Sequence, residues 1–223
     1  MTGTSAHADR RMAIIDLYLA FTGRVQRSDL IRHFDIGVAT ASRSLKKYRS
    51  LHPDNIDYSV SDRAYVSSSG FTPAYPHDTD AALRLIAFGQ ETTQINSPSY
   101  GAPSPTSLTA SIDMDCARVI TCAIVSGGLV NMAYSSGSSG NRERMVAPHA
   151  LFESGGTWYF RCHNLEKGDY RTFRFSRVKS AKVIGASAHK GLSGPGNDKE
   201  WSSVVTLTVG PHPNRDNQDA LRE

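Results

Sequence analysis

Between residues 36 and 50 the chain carries Arg43, Lys46, Lys47 and Arg49 and no acid, with the small polar residues Thr40 and Ser42 just ahead of them. Short hydroxyl side chains let a helix approach base edges, and cations behind them hold phosphates. Arg43 has the most specific chemistry of the group, because a guanidinium can donate two parallel hydrogen bonds to a guanine edge. Arg27 and Ser28, at the start of a shorter helical stretch, suit a backbone phosphate. Arg63 sits where a hairpin loop would meet the DNA backbone or minor groove. A solvated basic helix face is the plain alternative for these cations.

A second concentration of charge runs from residue 157 to 179, with Arg161, Lys167, Arg171, Arg174, Arg177 and Lys179 against Glu166 and Asp169. If residues 157–164 form a strand, alternation puts Tyr159, Arg161 and His163 on one face and Trp158, Phe160 and Cys162 on the other, which should be core. Tyr134 and Ser136 share a face of an earlier β segment, and Arg171 and Arg177 flank Phe173 and Phe175. Guanidinium, imidazole, phenol and hydroxyl groups brought together would hold a phosphate or a stacked base. Surface arginines paired with Glu153, Glu166 and Asp169 would look the same in sequence.

Hydrolytic chemistry finds no support. Cys116, Cys122 and Cys162 make an odd count without a CxxC pair, so neither a disulfide framework nor a zinc site follows. Cys162 and His163 point to opposite faces of one strand. There is no Gly-rich phosphate loop, HExxH or GxSxG. The expectation is a non-enzyme with no catalytic residue, cofactor or metal.

The elements that must position these groups follow from periodicity. Residues 9–21 read as an amphipathic helix with Met12, Ile15, Leu19 and the pair Ile14 and Tyr18 at helical spacing. Residues 27–34 give a second helix. Residues 38–51 give a third, whose inward stripe is Val38, Ala41, Leu45 and Tyr48, ended by Pro53. Residues 56–60 and 63–66 alternate as a hairpin. Three helices and a hairpin is the winged-helix order. A further helix covers 80–90, and a Ser/Pro/Thr/Gly-rich linker covers 92–109. Residues 116–126 fit a helix or a strand. Short strands then follow at 129–135, 144–146, 151–153, 157–164 and 170–175, with a loop at 136–141, which suggests a small barrel or SH3-like fold. Residues 204–209 look like one more strand. With 223 residues and a net charge of +4, the chain is long enough for two small domains. The polar first eleven residues lack the apolar stretch of a signal peptide. No apolar run reaches the roughly 18–20 residues that span a bilayer. A cytoplasmic protein without a membrane partner is expected.

Three spaced segments resemble the core of a WYL domain: Val146-Ala147-Pro148-His149-Ala150-Leu151, then Gly156-Thr157-Trp158-Tyr159-Phe160-Arg161, then Tyr170 to Val178. Phe160 stands where the family's Leu is usual. Ala123-Ile124 and Tyr134-Ser135-Ser136 are similar to its early pattern. The Pro-His-Ala-Leu version, with Arg two residues after the Tyr, resembles the branch of BrxR and CapW regulators that control bacterial anti-phage defence operons. The resemblance implies an α+β chain: an N-terminal winged helix-turn-helix (1–75), a connecting helix and linker (76–112), a WYL domain with an Sm-like, SH3-type barrel (113–187), and a partial C-terminal dimerisation extension (188–223). It also implies a ligand pocket of Tyr134, Ser136, His149, Arg161, Arg171 and Arg177, to which strand parity adds His163. The function expected is that of a repressor binding double-stranded operator DNA as a homodimer and relieved by an anionic nucleotide or oligonucleotide effector. The alternative is an RNA- or ssDNA-binding module that uses the barrel directly.

Overall fold

The computed structural model describes residues 3–89, 111–137, 140–186 and 194–207. The expected linker at 92–109 lies outside them. Helix α1 (Gly3–Thr22) is followed by the two-residue strand β1 (Arg24–Val25), α2 (Arg27–Phe34), α3 (Val38–Leu51), and the hairpin β2 (Ile56–Ser59) and β3 (Ala64–Ser67). The three strands form one sheet in the order β1-β3-β2, with Val25 opposite Tyr65 and Tyr58 opposite Tyr65 on the other side. This is a winged helix.

Helix α1 is less amphipathic than its sequence suggests. Met12, Ile14, Ile15, Leu17, Leu19, Ala20 and Phe21 are all buried, because the helix is packed on more than one side. It contacts α3, β1 and β3 and also α5 (Met114–Ser126), the helix that opens the second half of the chain. A helix that is apolar around most of its circumference is a core helix. One acid lies inside it. Asp16 is fully buried and accepts hydrogen bonds from the Tyr48 hydroxyl, from His77 Nε2 at 2.7 Å, and from the backbone of Ala74 at 3.1 Å and Tyr75 at 3.4 Å. Burial alone would raise its pKa, but the donors from His77, Tyr48 and Ala74 outweigh it and hold the carboxyl below its ordinary value. The ionised Asp16 thus ties the chain that leaves the wing back onto α1 and α3.

Helix α4 (Thr79–Phe88) is capped by Asp78, whose carboxylate accepts from Ala81 N at 2.8 Å. It lies against the second domain: Trp158 Nε1 donates to Asp80 at 2.7 Å and Arg84 pairs with Glu153 at 2.6 Å. For residues 116–126 the structure decides for helix. Asp113 caps α5 at Cys116 N, and Gly127 ends it in the left-handed conformation at φ 70°.

The five strands β4 (Gly128–Ser136), β5 (Gly140–Ser154), β6 (Thr157–Asn164), β7 (Asp169–Arg174) and β8 (Val178–Ala186) form an antiparallel sheet in the order β7-β6-β5-β4-β8. A 3-10 turn at Phe175–Arg177 carries β7 into β8, which returns beside β4. That order, with the first strand between the second and the last, is the SH3-type connectivity expected from the sequence. The two runs expected at 144–146 and 151–153 are parts of one strand, and the expected loop at 136–141 is shortened by the ends of β4 and β5. The first half of β5 pairs with β4 and the second half with β6. The corner lies at Pro148-His149-Ala150. There Pro148 faces Cys162 and Ala150 faces Arg161, so His149 is an extra residue in a β-bulge. Strand β8 was not marked by periodicity; of its residues 178–185, only Val178 is buried.

Residues 194–207 begin with a 3-10 turn (Pro195–Asn197) and a single helical turn, α6 (Lys199–Ser202). The strand expected at 204–209 is not formed over its described part, 204–207. Val204, Val205 and Leu207 lie exposed there, with no neighbouring strand to pair them. No helix among the described residues is long and apolar enough to cross a membrane.

Candidate nucleic-acid interface

Helix α3 starts after Gly37 and presents Ala39, Arg43, Lys46, Lys47, Arg49 and Ser50 to solvent. Its inward stripe is Ala41, Ser44, Leu45 and Tyr48. Val38 does not belong to that stripe, as periodicity suggested. It is 58% exposed, because the first turn projects beyond the helix bundle. Ser44 takes the inward place, its hydroxyl donating to the Thr40 carbonyl at 2.9 Å. Thr40 and Ser42 are half-buried at the shoulders. Arg43 Nη2 donates to Thr40 Oγ1 at 3.3 Å, which leans the guanidinium over the N-terminal turn. Val38 and Ala39 therefore form a small exposed apolar tip on the helix. Their signal in the sequence is only their place ahead of Thr40.

Arg27 and Ser28 are exposed in the first turn of α2. There Gln26 N is held by Asp29 Oδ2 at 2.7 Å and Ser28 Oγ reaches Gln26 Oε1 at 3.4 Å. In the wing, Ser59 Oγ donates to Asp62 Oδ2 at 2.6 Å. Arg63 is exposed and adopts φ 50°, a left-handed turn conformation that throws its side chain off the hairpin tip. Among the described residues no carboxylate forms an ion pair with Arg27, Arg43, Lys46, Lys47, Arg49 or Arg63.

The barrel cations are arranged differently. Parity on β6 holds: Trp158, Phe160 and Cys162 are buried in the core, while Tyr159, Arg161 and His163 face outward opposite Arg174, Thr172 and Tyr170 of β7. The bulge brings His149 to the same surface, its ring 5.7 Å from that of Tyr170. Arg161 is not open to solvent. Its Nε and Nη2 donate to the two oxygens of Asp198 at 2.6 and 3.0 Å, and Nη2 also reaches Glu200 at 2.7 Å. His149 Nε2 lies 3.1 Å from Asp198 Oδ2. These bonds raise the guanidinium pKa further, chiefly through Asp198, and hold the Asp198 carboxyl down at about 2, chiefly through Arg161. Burial outweighs the carboxylate for His149 and lowers its pKa. The neutral imidazole thus carries its proton on Nε2, facing Asp198. Its Nδ1 is buried without a hydrogen-bond partner among the described residues.

Four further residues are expected in this pocket. Tyr134 is buried on the core side, its ring edge-on to Phe173 and its hydroxyl accepting from Arg174 N at 3.2 Å. Arg171 pairs across β6 with Cys162, the opposite parity to Arg161, and is held by Asp169 at 2.8 Å. Ser136 ends β4 opposite Gly140, and Arg177 is exposed in the 3-10 turn. Of the expected cup, His149, Arg161 and His163 share a surface, whereas the Tyr134 ring lies on the core side and Arg171 stands at the opposite parity. Asp198, Glu200, Thr172 and Tyr170 were missed. Asp198 and Glu200 lie well beyond the motif segments, so no spacing rule could have found them.

Nucleophilic chemistry gains nothing here. Burial pushes the thiol of Cys116 up to about 12 and that of Cys122 up to about 11, and raises Cys162 as well. No group of three His, Cys, Asp or Glu among the described residues is placed to hold a metal ion.

Comparison with known proteins agrees with this architecture. The family described as the BrxR transcriptional regulator winged helix-turn-helix domain matches residues 7–87. The WYL domain family matches residues 115–183. The DNA-binding transcriptional repressor CapW of Escherichia coli (strain KTE188) is 30% identical over 212 residues, which is 92% of this chain and 70% of that protein. The repressor of the same name from Pseudomonas aeruginosa is 28% identical over 216 residues, with the same shares covered. Among solved structures, proteasome accessory factor B/C of Arthrobacter aurescens aligns with 82% of this chain and 34% of its own, at 19% identity and a TM-score of 0.31.

Proposed function

The chain belongs to the WYL-domain regulators with a BrxR-type winged helix, and from that premise we propose that it is a sequence-specific, DNA-binding transcriptional repressor. It binds an inverted-repeat operator as a homodimer, with one α3 in each major groove. It acts in the cytoplasm on a phage-defence operon, and an anionic nucleotide or oligonucleotide at the Arg161 surface relieves it. The observation that carries the reading is the contrast between two sets of cations. Among the described residues Arg27, Arg43, Lys46, Lys47, Arg49 and Arg63 form no ion pair with a carboxylate, whereas Arg161, Arg171 and Arg84 are each held by one. Unpaired cations on a protruding helix are available to phosphates and bases.

Arg43 makes the base contact, Lys46, Lys47 and Arg49 hold phosphates, and Arg63 reaches the backbone from the wing. Arg27 and Ser28 anchor the neighbouring phosphate. The test is a mobility-shift titration on duplex DNA from upstream of the chain's own gene. Arg43→Ala is expected to weaken binding by about 5- to 150-fold, about 1–3 kcal/mol for a lost bidentate base contact, while the oligomeric state stays unchanged. Wild-type affinity in that variant, or preference for single-stranded probes across a salt series, would refute the reading.

A further inference from the structure

Resting on the reading of Arg161 as the effector site, we propose that residues 194–202 are a built-in counter-ligand: Asp198 and Glu200 occupy Arg161 in place of an anionic effector, and a phosphate group can bind there only by displacing them. Three observations carry this. First, the pairing is that of a bound anion. Both Asp198 oxygens meet the guanidinium edge at 2.6 and 3.0 Å, and the side chains of Asp198 and His149 are each 1% exposed. A phosphate offers the same fork of acceptors with more charge and a further oxygen for Thr172 Oγ1, which now lies 3.5 Å from Arg161 Nη1.

Second, the contacts that seat the segment centre on the Asp198 carboxylate. Asp198 Oδ1 also caps α6 by accepting from Trp201 N at 3.2 Å. Trp201 then stacks at a tilt on Phe152, 5.6 Å between centroids, and edge-on to His149 at 6.0 Å. An anion that takes Arg161 from Asp198 therefore removes the main anchor of the segment and uncovers the ring of Phe152, itself stacked on Tyr159, on which a base can stack. Third, the segment reaches the DNA-binding half. Gly194, Pro195 and His149 line a cleft of about 600 Å³ whose other wall includes Arg24, Asp62 and Val66 of the winged helix. Departure of the segment changes the wall that faces the wing, so occupancy at Arg161 is felt where DNA is gripped.

A closed counter-ligand lowers the apparent affinity of any effector by the fraction of molecules that are open. The full chain is titrated with inorganic pyrophosphate by calorimetry, with emission of Trp201 followed in parallel and assigned by W201F. The variant D198N/E200Q is expected to bind pyrophosphate at least tenfold more tightly than wild type, with Trp201 emission already red-shifted before ligand is added. Trp201→Ala, which unseats the segment without altering its charge, is expected to tighten binding in the same direction, and Arg161→Ala to abolish it in every background. Equal affinity in wild type and D198N/E200Q, or an unshifted Trp201 in that variant, overturns the counter-ligand and leaves the effector site standing. Absence of any Arg161-dependent binding in all backgrounds overturns both.

Discussion

A cation without an internal partner is available to displace the counterions condensed on a nucleic acid, and one already held by a carboxylate must first lose that partner. Lys46 and Lys47 are of the first kind: both are exposed on α3 with no ion pair among the described residues. Each phosphate contact contributes roughly 0.9 to the slope of log affinity against log salt. Lys46→Ala and Lys47→Ala should therefore each flatten that slope by about 1 and weaken operator and non-operator duplexes alike, as read by fluorescence anisotropy across a salt series. Arg43→Ala should instead narrow the difference between operator and non-operator. A slope unchanged by both lysine substitutions would move the phosphate contacts off this helix. Arg171 is of the second kind: Asp169 holds it through Nε and Nη2. It is an ordinary exposed pair, of the sort that contributes little to stability.

At the scale of the element, the segment 194–202 depends on the ionisation of Asp198. The folded-state pKa of this group, about 2, lies below its ordinary value of 3.8, because Arg161 stabilises the charged form. A group depressed on folding adds stability above its unfolded pKa and loses it as pH falls toward the folded value. The seating of the segment, on the order of 2 kcal/mol from this carboxylate, should be complete above about pH 4 and vanish between about pH 4 and pH 2. Trp201 emission should shift over that window in wild type and be pH-independent in D198N. A transition centred near pH 6 would instead assign the seating to a histidine.

Over the whole molecule, the winged helix and the barrel share a continuous buried cluster that runs from Met12 and Phe21 through Ile120 to Phe160 and Phe175. Helix α1 is the common wall, with Arg118 of α5 donating to the Ala20 carbonyl at 3.3 Å. Two domains joined by a shared core lose stability together. Thermal unfolding of the full chain should be one transition with a calorimetric to van't Hoff enthalpy ratio of about 1. Two separated transitions would show that the halves fold independently and that the α1–α5 contact couples them weakly.

The sequence by itself determined the winged-helix order, the exposed cations of α3 and the parity of β6. These depend on local periodicity, which fixes the side of an element on which a residue stands. It could not decide 116–126, because a short apolar run fits both periods; the Asp113 and Gly127 caps decided it. The resemblance grouped Arg171 with Arg161, although pairing across β6 puts them on opposite faces. The partner of Arg161 was beyond any local reading. Asp198 lies 37 residues away, and only the return of the chain over β6 brings its carboxylate to the guanidinium. The same holds for Asp16, an acid in an apolar helix whose donors come from 32 and 61 residues on. Facing is local, whereas partnership requires the whole chain to close, and so the tertiary structure alone separated the exposed cations of α3 from the arginine that a distant carboxylate holds.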